Sequence, residues 1–89
     1  MHQQLNWHDK YALALKENIT INEICLLRDC GRPKATTIRN KARQYCLEND
    51  IEYEYRKIST QVIFEITGLG LDYYYQKMLQ ERRLENEVN

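Results

Sequence analysis

Proline occurs once and glycine three times in 89 residues, which excludes a collagen-like, linker-like or low-complexity chain. Long apolar runs are missing as well. No stretch approaches the ~20 apolar residues needed to span a bilayer, and Met1 to Trp7 lack the charged-then-apolar pattern of a signal peptide. A cytoplasmic location and no membrane partner are therefore expected. Cysteine is scarce and odd in number. Cys25, Cys30 and Cys46 fit neither a disulfide framework nor a paired C-x-x-C zinc site. Reduced thiols are expected, with Cys25 and Cys46 acting as small hydrophobes on helix faces. His2 and His8 are the only histidines, and with no fixed carboxylate or cysteine partner they argue against a metal site or a catalytic base. Gly68-Leu69-Gly70 lacks the third glycine and the preceding strand of a dinucleotide fingerprint. A chain of this length buries only ~60–70% of its unfolded surface, which leaves little room for a deep cleft. Neither an enzyme nor a cofactor-bearing protein is expected.

What is present is 43% hydrophobic and 29% charged, the composition of a compact helical or mixed domain with one core. The formal charge is zero, 13 cations against 13 anions, yet the two signs are segregated. Residues 28–43 hold Arg28, Arg32, Lys34, Arg39, Lys41 and Arg43 against Asp29 alone. The next block, 44–55, holds Glu48, Asp50, Glu52 and Glu54 and no cation. One segment owns nearly all the positive field.

The strongest local signal is Ile19-Thr20-Ile21-Asn22-Glu23-Ile24, where a capping box between Thr20 and Glu23 coincides with a hydrophobic staple of Ile19 on Ile24. It predicts a helix from about Ile21 to Arg28, ending near Gly31 in a left-handed turn. Pro33 suits the first turn of a second helix, from about Lys34 to Glu48. Ala35, Ile38, Ala42, Tyr45 and Cys46 recur there at intervals of three or four and form one apolar stripe. An advance of 100° per residue then turns Thr36, Thr37, Asn40, Arg43 and Gln44 outward, with Arg39 and Lys41 on the flanks. The alternation in Ile51-Glu52-Tyr53-Glu54-Tyr55 predicts a half-buried strand, Arg56-Lys57 a hairpin tip and Ile58 the returning strand. Ser59-Thr60 caps a third helix through Val62, Ile63, Phe64 and Ile66, stopped by Gly68.

These pieces assemble into a mainly α fold with a small β-hairpin. Residues 19–70 form a winged helix-turn-helix, and residues 71–89 a C-terminal helix that starts at Asp72 and fades into a charged tail from Glu81. The pattern of residues 1–18 fits a helix through Trp7, Tyr11, Ala14 and Leu15 or a strand through Tyr11, Leu13 and Leu15. Such a motif lays its second helix in the major groove of duplex DNA. Asn40 and Gln44 are suited to adenine, Arg43 to guanine, and Thr36 and Thr37 to thymine methyls or phosphates. Arg32, Lys34, Arg39 and Lys41 would meet phosphates, and Arg56 and Lys57 a neighbouring minor groove or backbone.

From Ile19 to about Leu71 the layout resembles the small winged-helix excisionases, or recombination directionality factors, of bacterial mobile elements and phages, a pattern shared with MerR-like regulators. The resemblance rests on Ile19 to Ile24, on Ala35-Thr36-Thr37-Ile38-Arg39, on Arg56-Lys57-Ile58 and on the helix through Phe64. It implies a DNA-bending accessory protein, excisionase-like or regulatory, that assists an integrase and can form a homo-oligomer on DNA. Two other uses stay open. The chain can be a protein-interaction module that docks on an integrase, a repressor or a replication enzyme through Tyr74, Tyr75, Met78 and Leu79. It can also be a single-strand-binding accessory that stacks bases on Tyr73-Tyr74-Tyr75, Tyr53 and Tyr55.

Overall fold

The computed structural model describes residues 4–88. In the ambiguous N-terminal segment the helical alternative forms. The Asn6 side chain accepts from the Asp9 N–H at 2.8 Å and starts α1 (Trp7–Ala14). Two further first-turn donors, the N–H groups of Trp7 and His8, are satisfied from the far end of the chain by the Glu81 carboxylate, at 3.0 and 3.2 Å. Helix ends leave such donors unpaired unless a side chain or water meets them.

After β1 (Asn18–Ile19) the capping box opens α2 (Ile21–Arg28). Thr20 Oγ1 accepts from the Glu23 N–H at 3.3 Å, and Glu23 Oε1 accepts from the Thr20 N–H at 2.9 Å. Ile19 and Ile24, the staple pair, are both fully buried. The helix ends otherwise than expected. Asp29, not Gly31, takes the left-handed conformation, at φ 50°, and its carboxylate receives the ammonium of Lys10 from α1. Short polar side chains tolerate this region, and the ion pair holds the turn there. Gly31 is extended and serves as N-cap of α3 (Arg32–Glu48).

The expected strand over Ile51 to Tyr55 is absent. Residues 51–57 are irregular and exposed throughout. The alternating pattern has no ladder to join, because Ile58 pairs elsewhere: β2 (Ile58–Ser59) runs antiparallel to β1, with Asn18 opposite Ser59 and Ile19 opposite Ile58. Burying both isoleucines completely outweighs half-burying Ile51 and Tyr53 on a hairpin with no third strand. The small sheet thus joins residues on either side of α2 and α3.

The third helix predicted from sequence is α4 (Thr60–Thr67), closed by Gly68 at φ 75°. Ser59 makes no side-chain cap; the Thr60 hydroxyl instead donates to the Lys16 carbonyl. The last helix, α5 (Leu71–Val88), continues through the segment expected to fade into a tail. Ala14 of α1 and Tyr74 of α5 belong to the same apolar cluster as Ile24, Ala35 and Ile63, so residues before 19 and after 70 share the core of the middle segment. No helix among the described residues is long and apolar enough to cross a membrane.

Candidate nucleic-acid interface

Helix α3 sorts its side chains by face. Ala35, Ile38, Ala42 and Cys46 are buried, as the period of three and four requires. On the opposite side Lys34, Thr37, Asn40, Lys41 and Gln44 form a fully exposed ridge. Thr36, Arg39 and Arg43 lie between these faces, half-buried. The start of α3 keeps a positive character: Gly31 offers no side-chain cap, and the first turn contains no acidic residue, so the helix dipole and free N–H groups face outward uncompensated.

The ridge residues are not all idle. Gln44 Nε2 donates to Glu48 Oε1 at 3.0 Å, and the Thr37 hydroxyl donates to the Pro33 carbonyl at 3.2 Å. Arg43 departs furthest from the sequence expectation. Its guanidinium donates to the Tyr55 carbonyl and stands 5.3 Å from the Tyr55 ring and 5.9 Å from the Tyr53 ring. A guanidinium placed near two aromatic rings and bonded to the carbonyl of the second is occupied by loop 51–57, so it holds that loop against α3 rather than standing free for guanine.

Loop 51–57 closes one wall of a groove of about 370 Å³ lined by Thr20, Ile21, Asn22, Arg32, Arg39, Tyr55 and Arg56. The structure brings Arg32, Arg39 and Arg56 together there, from the start of α3, its middle and the loop. Arg32 is anchored by donating to Asn22 Oδ1 at 3.1 Å. Lys34 and Lys41 remain on the ridge, and Lys57 is exposed beside Arg56. Sequence reasoning missed Thr20 and Asn22, and it gave Tyr55 to base stacking rather than to this groove. The first two were absorbed into a helix-start signal, and Tyr55 into a strand.

The tyrosines of α5 do not form a common surface. Tyr73 meets Trp7 edge-on at 5.9 Å, Tyr74 is 99% buried beside Phe64, and Tyr75 packs on Tyr11 at 5.4 Å. The three rings of Tyr73-Tyr74-Tyr75 are thus directed into the chain's own packing, which takes away the stacking platform expected of them. Burial pushes the Tyr74 phenol above its ordinary pKa, with Arg28 beside it opposing the shift. Tyr74 and Met78, expected on a docking face, are core residues instead. Trp7 of α1 and Phe64 of α4 pack around Tyr74, which leaves only Tyr75 and the half-buried Leu79 of that set at the surface.

His8 is exposed, and His2 lies outside the described residues. Among the described residues no group of three or more His, Cys, Asp or Glu side chains is placed to hold a metal ion. Cys25, Cys30 and Cys46 are free thiols; burial raises the pKa of Cys30 and keeps it in the protonated, unreactive form. A scan against family models finds none that matches, and searches of the curated proteins and of the solved structures find no match either.

Proposed function

We propose that this chain is a duplex-DNA-binding winged helix-turn-helix protein, excisionase-like or regulatory in role, that inserts α3 in the major groove and rests loop 51–57, the wing, on the neighbouring backbone. The carrying observation is the exposed ridge Lys34, Thr37, Asn40, Lys41 and Gln44 on α3, flanked on one side by Arg32, Arg39 and Arg56. Three residues, 29–31, separate α2 from α3, the spacing of a helix-turn-helix. A helix of about 10–12 Å across fits a groove about 12 Å wide.

In this reading the ridge divides its work. Asn40 and Gln44 reach base edges, Gln44 by exchanging its bond to Glu48 for one to adenine. Lys34 and Lys41, two turns apart on one side of α3, meet phosphates on one groove wall, opposite the arginine flank. Thr36 and Thr37 approach the backbone where α3 begins, and Arg56 and Lys57 extend the contact from the wing. Zero net charge is compatible with this use because Arg32, Lys34, Arg39 and Lys41 of α3 stand with Arg56 and Lys57 of the adjoining loop, and the local field governs association.

Fluorescence anisotropy with random duplex and random single-stranded DNA across a salt series tests the reading. If Lys34, Lys41 and Lys57 each meet a phosphate and the neighbouring Arg32, Arg39 and Arg56 meet a fourth between them, log K falls against log salt with a slope of about −4. Lys41→Gln, an exposed change, makes that slope shallower by about one unit and leaves thermal stability unchanged. Absence of duplex binding at low salt, or a slope unchanged in the variant, overturns the assignment.

A further inference from the structure

We propose that the groove between the start of α2, the middle of α3 and loop 51–57 is a preformed seat for one phosphodiester phosphate of the bound duplex, held by Arg32, Arg39 and Arg56. This rests on the duplex-binding reading above and names a specific contact within it.

Three arginines line one groove and no acidic residue lines it with them. None of the three takes part in an ion pair among the described residues. The nearby Glu23 is already engaged by Lys16 and by the Thr20 N–H. Like charges gathered without a counter-ion repel one another, and a site that collects them is complementary to an anion it does not itself supply.

A second observation is independent of charge. Arg39 Nε is shut off from solvent and has no hydrogen-bond partner among the described residues. A buried donor left in that state is costly; Arg28 Nε and Arg43 Nε share it, but of the three only Arg39 lines the groove, where a phosphate that its side chain turns to meet supplies the missing acceptor. Asn22 holds Arg32 by a hydrogen bond at 3.1 Å, and Thr20, Ile21 and Asn22 line the groove beside the arginines.

The shape of the groove selects among anions. At about 370 Å³ it exceeds a single water or halide and accepts a tetrahedral phosphate with part of the attached sugar. Planar guanidinium forks match phosphate oxygens two at a time. The Tyr55 ring, 80% exposed on the wall, gives the sugar an apolar face. A phosphate seated here would join α2, α3 and the wing through a single group.

The test titrates the full chain with inorganic phosphate and follows the arginine Nε–H resonances by NMR, and in parallel measures the salt dependence of duplex binding. Two variants accompany it. Arg39→Gln removes the buried donor. Asn22→Asp sets a carboxylate in the groove mouth at the second position of a helix, where an acid favours folding, so lost binding in that variant cannot be lost structure. Phosphate is expected to shift the Arg39 signal saturably in the wild type and not in Asn22→Asp, and both variants should flatten the duplex salt slope by about one unit with base preference unchanged. An Arg39 signal that phosphate never moves, or a slope that neither variant changes while duplex binding persists, overturns the proposal and leaves duplex binding standing. Saturable phosphate binding without any duplex binding overturns both and assigns the groove to a small phosphorylated ligand.

Discussion

Replacing Arg43 by alanine should release loop 51–57 without unfolding the chain. Its guanidinium stands over two rings, at 5.3 and 5.9 Å, and each such contact at an exposed site is worth about 0.5 kcal/mol. Its bond to the Tyr55 carbonyl, weakened by solvent, adds about 1 kcal/mol. Together they hold residues 51–57 against α3 by about 2 kcal/mol, which corresponds to a roughly 30-fold larger open population in the variant. Trypsin reports that population directly, because cleavage after Arg56 or Lys57 tracks opening when opening is fast. Cleavage at those two bonds, read by mass spectrometry, should accelerate roughly 30-fold in Arg43→Ala and less in Arg43→Lys, whose ammonium lacks the planar fork. The urea midpoint should move little, as for other surface substitutions, since every residue of the loop is already exposed. Duplex affinity should fall equally for all base sequences. A cleavage rate within twofold of wild type would refute the reasoning, and a change in base preference would return Arg43 to the role of base reader.

Lys10 has a side chain only 3% exposed and ends on Asp29, which is 34% exposed. Removing one partner of a fully buried pair costs 3–5 kcal/mol; the wetter carboxylate here brings Lys10→Ala to about 2 kcal/mol, and an unchanged urea midpoint would contradict it. For Glu23, burial acts to raise the carboxyl, but hydrogen bonds from Lys16 and Thr20 outweigh it and leave the pKa below its ordinary value. That stability is present above the unfolded pKa of about 4.3 and is lost as pH falls through the folded one. Glu23→Gln should therefore cost about 1 kcal/mol at neutral pH and converge with wild type in acid; a penalty constant from pH 7 to pH 3 would refute the cap-and-ion-pair account. Tyr74 has the opposite sense: its raised phenol keeps the fold intact below the unfolded value of about 10 and loses stability as pH climbs beyond it. Tyr74→Phe should unfold later in an alkaline titration than wild type, and coincident curves would exclude the buried phenol as the cause.

Where a local rule and the tertiary contacts agree, the fold was legible. Thr20, Glu23, Ile19 and Ile24 announce a helix start within six residues because every partner is close in sequence. The stripe of Ala35, Ile38, Ala42 and Cys46 marks the inner face of α3 by the same logic, and Gly68 closes α4 as its lack of a side chain allows. Misreadings arose where distant partners decide. The alternation of Ile51, Tyr53 and Tyr55 is a genuine pattern, but a strand needs a neighbour, and Ile58 is taken by Ile19. Gly31 looked like the left-handed residue until Lys10 gave Asp29 a reason to be one. Tyr74 and Met78 read as surface because α1, which packs along the helix that carries them, could not be placed. In the candidate site the arginines of α3 were visible as a cluster of charge. The groove was not, because it depends on Tyr55 and Asn22 arriving from loop 51–57 and α2.

The union of β1 with β2 has a topological consequence. Beyond the ladder itself, the Thr60 N–H donates to the Glu17 carbonyl at 3.0 Å and its hydroxyl to the Lys16 carbonyl, 44 residues away. Everything proposed to face DNA, α2, α3 and the wing, therefore lies on one closed loop of chain tied at its neck. The entropy of closing such a loop rises only logarithmically with its length, about 0.6 kcal/mol for a doubling. Residues added within 51–57 would thus lengthen the reach of that loop at small cost to folding, whereas a change at Ile19, Ile58 or Thr60 opens the neck. Variation in reach and constancy of scaffold are assigned to different residues by this one tie.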